Sequence, residues 1–310
     1  MRIRVRRSEG AATLALACIA ACGLATATAR AQDDLADVRV VIHPVKDGIH
    51  MLVGRGGNIG VSAGADGIFL IDDQFGPLHE RIAKAVATIQ PGPIRFLLNT
   101  HWHGDHTGGN EAFAAGGAVI VAHDAVRTRM SAEQFIEAFG RRVPPSPPAA
   151  LPVVTFGSEL TFHLNGDAIH AFHVEAAHTD GDVVVHFVGS DVVHAGDVFF
   201  AGRYPFIDLS SGGSIQGLIA AVERILEIAG ESTKVIPGHG PLASRADLLR
   251  YRDLLVLARD RVAEAMAAGT PLEEIVTSRP FADLDADWGG GFMKADGFVK
   301  IIHASLAAGS

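Results

Sequence analysis

Cysteine is almost absent from this 310-residue chain: Cys18 and Cys22 are the only two, both close to the N-terminus. A disulfide scaffold is excluded, and so is a thiolate-held metal anywhere in the body of the protein. Concentrated positive charge is missing as well. Lys and Arg number 26 against 35 Asp and Glu, the net charge is −9, and the basic residues beyond the first few positions are scattered. No basic face is left for phosphate, so nucleic acid is not expected as a partner. There is also no apolar run long enough to span a bilayer, which takes about 20 residues. What remains is ordinary globular composition. The chain is long enough to bury a sizeable core unaided, so a bound metal would serve chemistry more than folding.

The first residues carry a different signal. Arg2, Arg4, Arg6 and Arg7 make a positive start, Ala11–Leu24 is a short apolar stretch, and Ala29-Arg30-Ala31 offers a small-residue cleavage site before Gln32. This pattern reads as an export signal over residues 1–31, with 32–310 as the mature domain, periplasmic or secreted. Ile19-Ala20-Ala21-Cys22 is an alternative processing box that would leave a lipid anchor on Cys22, and Arg6-Arg7 is a poor twin-arginine pair. Cleavage after Ala31 leaves no cysteine.

Beyond Gln32, short apolar runs alternate with helical patterns, as in a layered α/β domain. Strands are expected at 38–42, 49–53, 68–71, 96–99 and 119–122, with a helix over 80–89 and a helical stretch after 122. The Pro-rich segment 143–152 reads as a loop between two halves of one domain. The pattern then restarts with strands near 159–164, 168–175, 182–188 and 191–195. A helix follows near 215–229, then a strand at Val235-Ile236 and helices over about 244–268.

The chemistry is concentrated in Thr100-His101-Trp102-His103-Gly104-Asp105-His106, which directly follows an apolar strand. A strand end breaking into a loop can turn alternate side chains to one point. Imidazole and carboxylate are ligand types that zinc accepts, and hydrolysis requires an open coordination position. Three more candidates stand at strand ends beside glycines, which let the backbone turn sharply: His178, Asp197 and His239. The other histidines, among them His43, His50, His79, His123, His163, His170, His173, His186, His194 and His303, have no such context.

His-x-His-x-Asp-His followed by a distant His, Asp and His in glycine-rich settings resembles the metallo-β-lactamase superfamily, from the Gly56–Gly60 turn to about Tyr251. The resemblance implies an α/β four-layer αββα sandwich of two similar halves. It implies two zinc ions, with iron or manganese as alternatives. His101, His103 and His178 would hold the first ion, Asp105, His106 and His239 the second, and Asp197 would bridge them. A bridging hydroxide would attack the substrate while Asp105 orients it and moves its proton. Thr100, Thr179 and Asp72 or Asp73 are candidates for orienting the ligands.

Asp197 stands where one zinc β-lactamase branch has cysteine. A bridging aspartate fits glyoxalase II and acyl-homoserine lactonases better, yet about 70 residues after His239 are too few for a glutathione-binding domain. The expectation is therefore a hydrolase of small-molecule esters, thioesters, lactones or β-lactams. A wall would be formed by Arg203, Tyr204 and Phe206, with Asn58 as a further substrate contact. The alternatives are an iron persulfide-dioxygenase-like oxidoreductase, or a non-catalytic zinc-binding accessory protein.

Overall fold

The computed structural model describes residues 35–309. The segment read as an export signal, both cysteines and the expected cleavage site lie outside the described residues. The described residues from Val40 onward form the larger of two compact units.

Two sheets organise the larger unit. The first contains β1 (Val41–Lys46), β2 (Ile49–Val53), β3 (Ile59–Gly64), β4 (Gly67–Ile71), β5 (Ile94–Leu98) and β6 (Val119–His123), in that spatial order. A small hairpin, β7 (Gln134–Ile136) with β8 (Arg141–Val143), stands apart from both sheets, and β9 (Val154–Phe156) closes the first sheet beside β6. The second sheet runs in chain order: β10 (Glu159–Leu164), β11 (Asp167–His173), β12 (Val183–Phe187), β13 (Val192–His194), β14 (Lys234–Ile236) and β15 (Ala243–Ser244). Helices α1 (His79–Ile89), α2 (Gly104–Thr107), α3 (Asn110–Ala115) and α4 (Asp124–Met130) belong to the first half. Helices α5 (Ile215–Ile228), α6 (Arg245–Ala267), α7 (Leu272–Thr277), α8 (Asp285–Trp288) and α9 (Ala295–Ala307) belong to the second. Among the described residues no helix is long and apolar enough to cross a membrane.

Local chemistry explains the registers. Asp47-Gly48 and Asn165-Gly166 both have two successive positive φ angles, 46° and 78° in the first and 55° and 77° in the second. These are the turns that match the right-handed twist of a two-residue hairpin. The first pairs Lys46 with Ile49 and Val41 with Val53, so the opening strand covers 41–46 instead of the 38–42 read from its apolar residues. The Pro-rich segment also does something other than join the halves. Strand β9 lies after it and pairs parallel with β6, so the first sheet ends at Phe156. The short strands β7, β8 and β15 also escaped the sequence pattern, and so did β3, Ile-Gly-Val-Ser-Ala-Gly, which is small and glycine-rich but lies buried inside the sheet.

The inner faces of the sheets meet through Met51, Phe69, Ile71 and Leu98 from one and Ile169, Val185, Phe187 and Ile236 from the other. A second core joins the second sheet to the helices, with Ile215, Leu218, Val222 and Ile225 of α5 and Leu248, Leu255 and Val262 of α6 all buried. Ser244 and Asp247 form a capping box at the start of α6. Strands β4 and β5 are parallel, as are β13 and β14. Their carboxyl ends therefore open toward one edge, and the polar cluster lies there.

Candidate metal centre

Seven side chains predicted from the sequence converge at that edge. They form three overlapping sets whose ligand atoms lie within 4.8 Å of one another: His101/His103/His178, His101/His106/Asp197 and Asp105/His106/His239. His101, His106 and His178 are fully buried. In the first set His103 Nδ1 lies 2.9 Å from His178 Nε2 and 3.1 Å from His101 Nε2. Three imidazole nitrogens this close cannot all be satisfied by shared protons. The donor set fits a cation, because nitrogens on a tetrahedral ion at about 2.0–2.1 Å would stand about 3.3 Å apart. Asp197 lies between the sets and reaches both: Oδ1 is 3.1 Å from His106 Nε2, and Oδ2 is 3.3 Å from His239 Nε2 and 3.6 Å from His178 Nε2. Although buried, Asp197 Oδ1 has no hydrogen-bond partner among the described residues. A buried carboxylate oxygen without a partner is costly unless a cation faces it.

Four of the five rings are aimed by what their other nitrogen meets. His106 Nδ1 is 2.7 Å from Asp72 Oδ2, which also accepts the Thr100 hydroxyl at 2.7 Å. Thr100 Oγ1 in turn lies 3.1 Å from His101 Nδ1, so one carboxylate steers two ligands. His178 Nδ1 donates to the Phe206 carbonyl at 2.8 Å. His103 Nε2 lies 3.0 Å from Asp208 Oδ2, which also accepts from Ser211 Oγ. Asp208 had no role in the sequence pattern, because nothing local ties it to a histidine 105 positions earlier. The one hint was a carboxylate at the end of an apolar run, two positions before a pair of serines.

Glycines let these loops approach. A Cβ on Gly57 would come within 2.1 Å of His106 Cε1, and one on Gly238 within 2.0 Å of Asp197 Oδ1. Backbone bonds fix the approach: Asn58 N–H donates to Gly238 O of the second half at 2.7 Å, and Gly57 N–H to Asp105 O within the first half at 3.0 Å.

The profile of the metallo-beta-lactamase superfamily matches residues 53–256. This chain belongs to the metallo-β-lactamase superfamily. A curated relative, the hydroxyacylglutathione hydrolase of Polaromonas sp. (strain JS666 / ATCC BAA-500), is 30% identical over 166 residues, 53% of this chain. The aligned region spans only 55% of that relative's own length. Among solved structures, a metallo-beta-lactamase from Pontibacter korlensis aligns with a TM-score of 0.56 at 20% identity, covering 70% of this chain and 99% of that one. The mono-zinc form of FIM-1 from Pseudomonas aeruginosa gives 0.56 at 21%, covering 71% and 96%. At such identities these structures speak for the fold alone, the αββα sandwich.

Within this metallo-β-lactamase fold, other candidates are placed differently. Thr179 bonds Asp182 at 2.7 Å and shapes its own turn instead of meeting a ligand. Asp73 accepts the Gly109 amide, and burial pushes its carboxyl well up. Asn58 spends its amide on the carbonyls of Pro237 and Gly240, and its own carbonyl meets His194 Nε2, so it clamps the His239 loop and does not face the centre. Tyr204 is fully buried among Phe281 and Phe298, with its hydroxyl on Asp285, and belongs to the helical core. Phe206, two residues on, packs on the rings of His103 and His178. The Arg203 side chain lies over Gly291, and its Nε has no hydrogen-bond partner among the described residues.

The two ligand sets differ in charge. Burial holds His178 down at about 4 and His101 well below the usual histidine value. Burial, the largest single influence, opposes charge on His239 and His106, but Asp197 and the neighbouring carboxylates together outweigh it in both. Asp105 adds to the effect on each and Asp72 on His106, so His239 rises to about 9 and His106 is also raised. A metal must displace protons from raised groups. At pH 7 the second set therefore releases protons on loading, and its affinity falls as pH drops, by about tenfold per unit per proton. The His101/His178 pair gives up none above its depressed range. Calorimetric titration with zinc in buffers of different ionisation enthalpy should resolve one ion that releases more protons than the other. Equal release from both would contradict this division.

Proposed function

We propose that this protein is an exported dinuclear zinc hydrolase that cleaves an acyl bond in an ester, thioester, lactone or β-lactam. The observation that carries the reading is Asp197, a single buried carboxylate within 4 Å of histidines from both ligand sets. When bound, two divalent ions supply Lewis-acid polarisation of the scissile carbonyl and bring the pKa of water toward neutrality.

The protein's part is placement. Asp72, Asp208 and the Phe206 carbonyl hold the rings in one tautomer and orientation, so little reorganisation accompanies the reaction. Asp105 is the most solvent-accessible of the ligand carboxylates, with its side chain 27% exposed and Oδ2 3.4 Å from His239 Nε2. It is suited to hold the nucleophile's proton and pass it toward the leaving group. Arg203 and Phe206 are proposed substrate contacts. Support for hydrolysis comes from family membership and from the name of the hydroxyacylglutathione hydrolase relative. Support for export, to the periplasm or beyond, rests on residues 1–31, with lipidation at Cys22 as the alternative to cleavage after Ala31.

Metal content of the purified mature protein should be measured together with turnover of a chromogenic cephalosporin, a lactone and a thioester. Two zincs per chain with turnover of any one supports the reading. One iron with oxygen consumption on a thiol substrate, or two zincs with no turnover, overturns it.

A further inference from the structure

Three phenylalanines from three separate segments meet beside the metal centre. Phe139 sits at the tip of the β7–β8 hairpin, followed by Gly140 in the left-handed conformation. Phe292 sits in the Gly289-Gly290-Gly291 loop between α8 and α9. Phe206 follows the strand-end loop that carries Asp197. The ring of Phe206 lies 4.8 Å from Phe139 and 6.4 Å from Phe292, and those two are 6.4 Å apart. Phe206 is itself buried, but Phe139 is 52% and Phe292 58% exposed. Scattered exposed apolar residues need no explanation; a pair of open aromatic rings converging on a third does.

The third ring ties the patch to the chemistry. Phe206 stacks on His103 at 6.1 Å, contacts the His178 ring at 5.7 Å, and its carbonyl fixes His178 Nδ1. The hairpin is also connected to the centre: the Glu137 amide donates to Ser210 Oγ at 3.3 Å, and Ser210 bonds Asp208, the carboxylate behind His103. An apolar surface continuous with two ligand rings favours a substrate group over a distant partner.

Resting on the hydrolase reading above, we infer that Phe139, Phe206 and Phe292 form a substrate subsite for a bulky apolar group, aromatic or branched alkyl, next to the scissile bond. Aromatic rings offer large area at fixed geometry and bind apolar groups by offset or edge contacts. The preferred substrates are then arylalkyl or branched-acyl compounds instead of small acetyl ones.

The test uses the zinc-loaded full mature chain. Rates for phenylacetyl and acetyl esters of one leaving group are compared in wild type, Phe139→Ala, Phe292→Ala and, as a control on a remote exposed loop, Val153→Ala. Affinities of phenylacetohydroxamate and acetohydroxamate, which chelate metal and need no turnover, are measured in parallel. Wild type should prefer the phenyl compound in both assays. The preference should fall about 10- to 100-fold in either Phe variant and stay unchanged in Val153→Ala. Equal affinity for the two hydroxamates, or a preference that survives both Phe variants, overturns the subsite. Ester turnover without phenyl preference overturns the subsite and leaves the hydrolase reading standing. Phenyl-selective hydroxamate binding with no turnover of any ester sustains the pocket and overturns the hydrolase. Loss of a dimer in sedimentation of the Phe variants, with selectivity intact, assigns the patch to a second copy of the chain and overturns the subsite.

Discussion

Asp197→Asn is expected to leave a folded protein that retains at most one tightly bound metal ion, with kcat/KM lowered at least about 1000-fold. The reasoning starts from the carboxylate's two oxygens. Oδ1 faces His106, and Oδ2 faces His239, His178 and His101 at 3.3, 3.6 and 3.9 Å. Burial opposes ionisation of Asp197, but His239, His106 and His101 outweigh it and hold the group well below the usual carboxylate range. It is therefore the negative charge shared by both ligand sets. An amide is nearly the same shape but is neutral, and it turns one oxygen into an N–H donor that cannot face a cation. Losing one ion removes several kcal/mol of transition-state stabilisation, which at about 1.4 kcal/mol per tenfold gives the figure above. Metal analysis and thermal unfolding with and without zinc provide the check. Zinc at about 1,000 times its Kd stabilises a folded protein by about 4 kcal/mol, and that increment should shrink in the variant. Two zincs and unimpaired turnover in Asp197→Asn would refute the assignment.

Asp72→Asn should lower metal affinity about 10- to 100-fold although Asp72 touches no metal. Asp72 is completely buried, its Oδ1 accepts the Thr100 amide at 2.7 Å, and its Oδ2 serves both Thr100 Oγ1 and His106 Nδ1. In the asparagine variant, one of these donors meets another donor. A buried unsatisfied donor costs about 1–3 kcal/mol, so the metal-free variant should also unfold at a lower temperature. Asparagine is the informative replacement because Asp72 has φ 61°, a left-handed conformation that Asn tolerates and Ala does not. His101 and His106 should both lose their fixed orientation, and kcat should fall with the metal-saturated enzyme as well. Wild-type kcat at saturating zinc would show that Asp72 acts on folding alone.

The ligand pattern was legible in the sequence for a local reason. His101, His103, Asp105 and His106 lie within six residues after β5, and neighbours in sequence at a strand end are neighbours in space. His178, Asp197 and His239 were readable as candidates because a close approach between loops needs glycine, and Gly196 and Gly238 sit at such positions. The strands at 49–53 and 159–164 and the helix at 215–228 follow from side-chain periodicity, which is equally local. Strand β3 did not, because its composition answers to a distant contact. A Cβ on Gly60 would meet the His194 ring at 2.8 Å, so a central strand had to look like a turn.

The remaining decisions were tertiary. Asp208 reaches His103 only because the second sheet brings its loop across, and no spacing rule spans that separation. Tyr204 and Phe206 have similar apolar rings two positions apart, yet one enters the helical core with Phe281 and Phe298 while the other lies on His103 and His178. Phe139 and Phe292 became neighbours only when a hairpin and a glycine loop, 153 positions apart in the chain, closed on the same edge. The sequence by itself determined the ligand chemistry, because ligand types and sharp turns are properties of short segments. The tertiary structure alone decided which side chains aim those ligands and which surface a substrate meets, because both depend on packing between two halves that are distant in the chain.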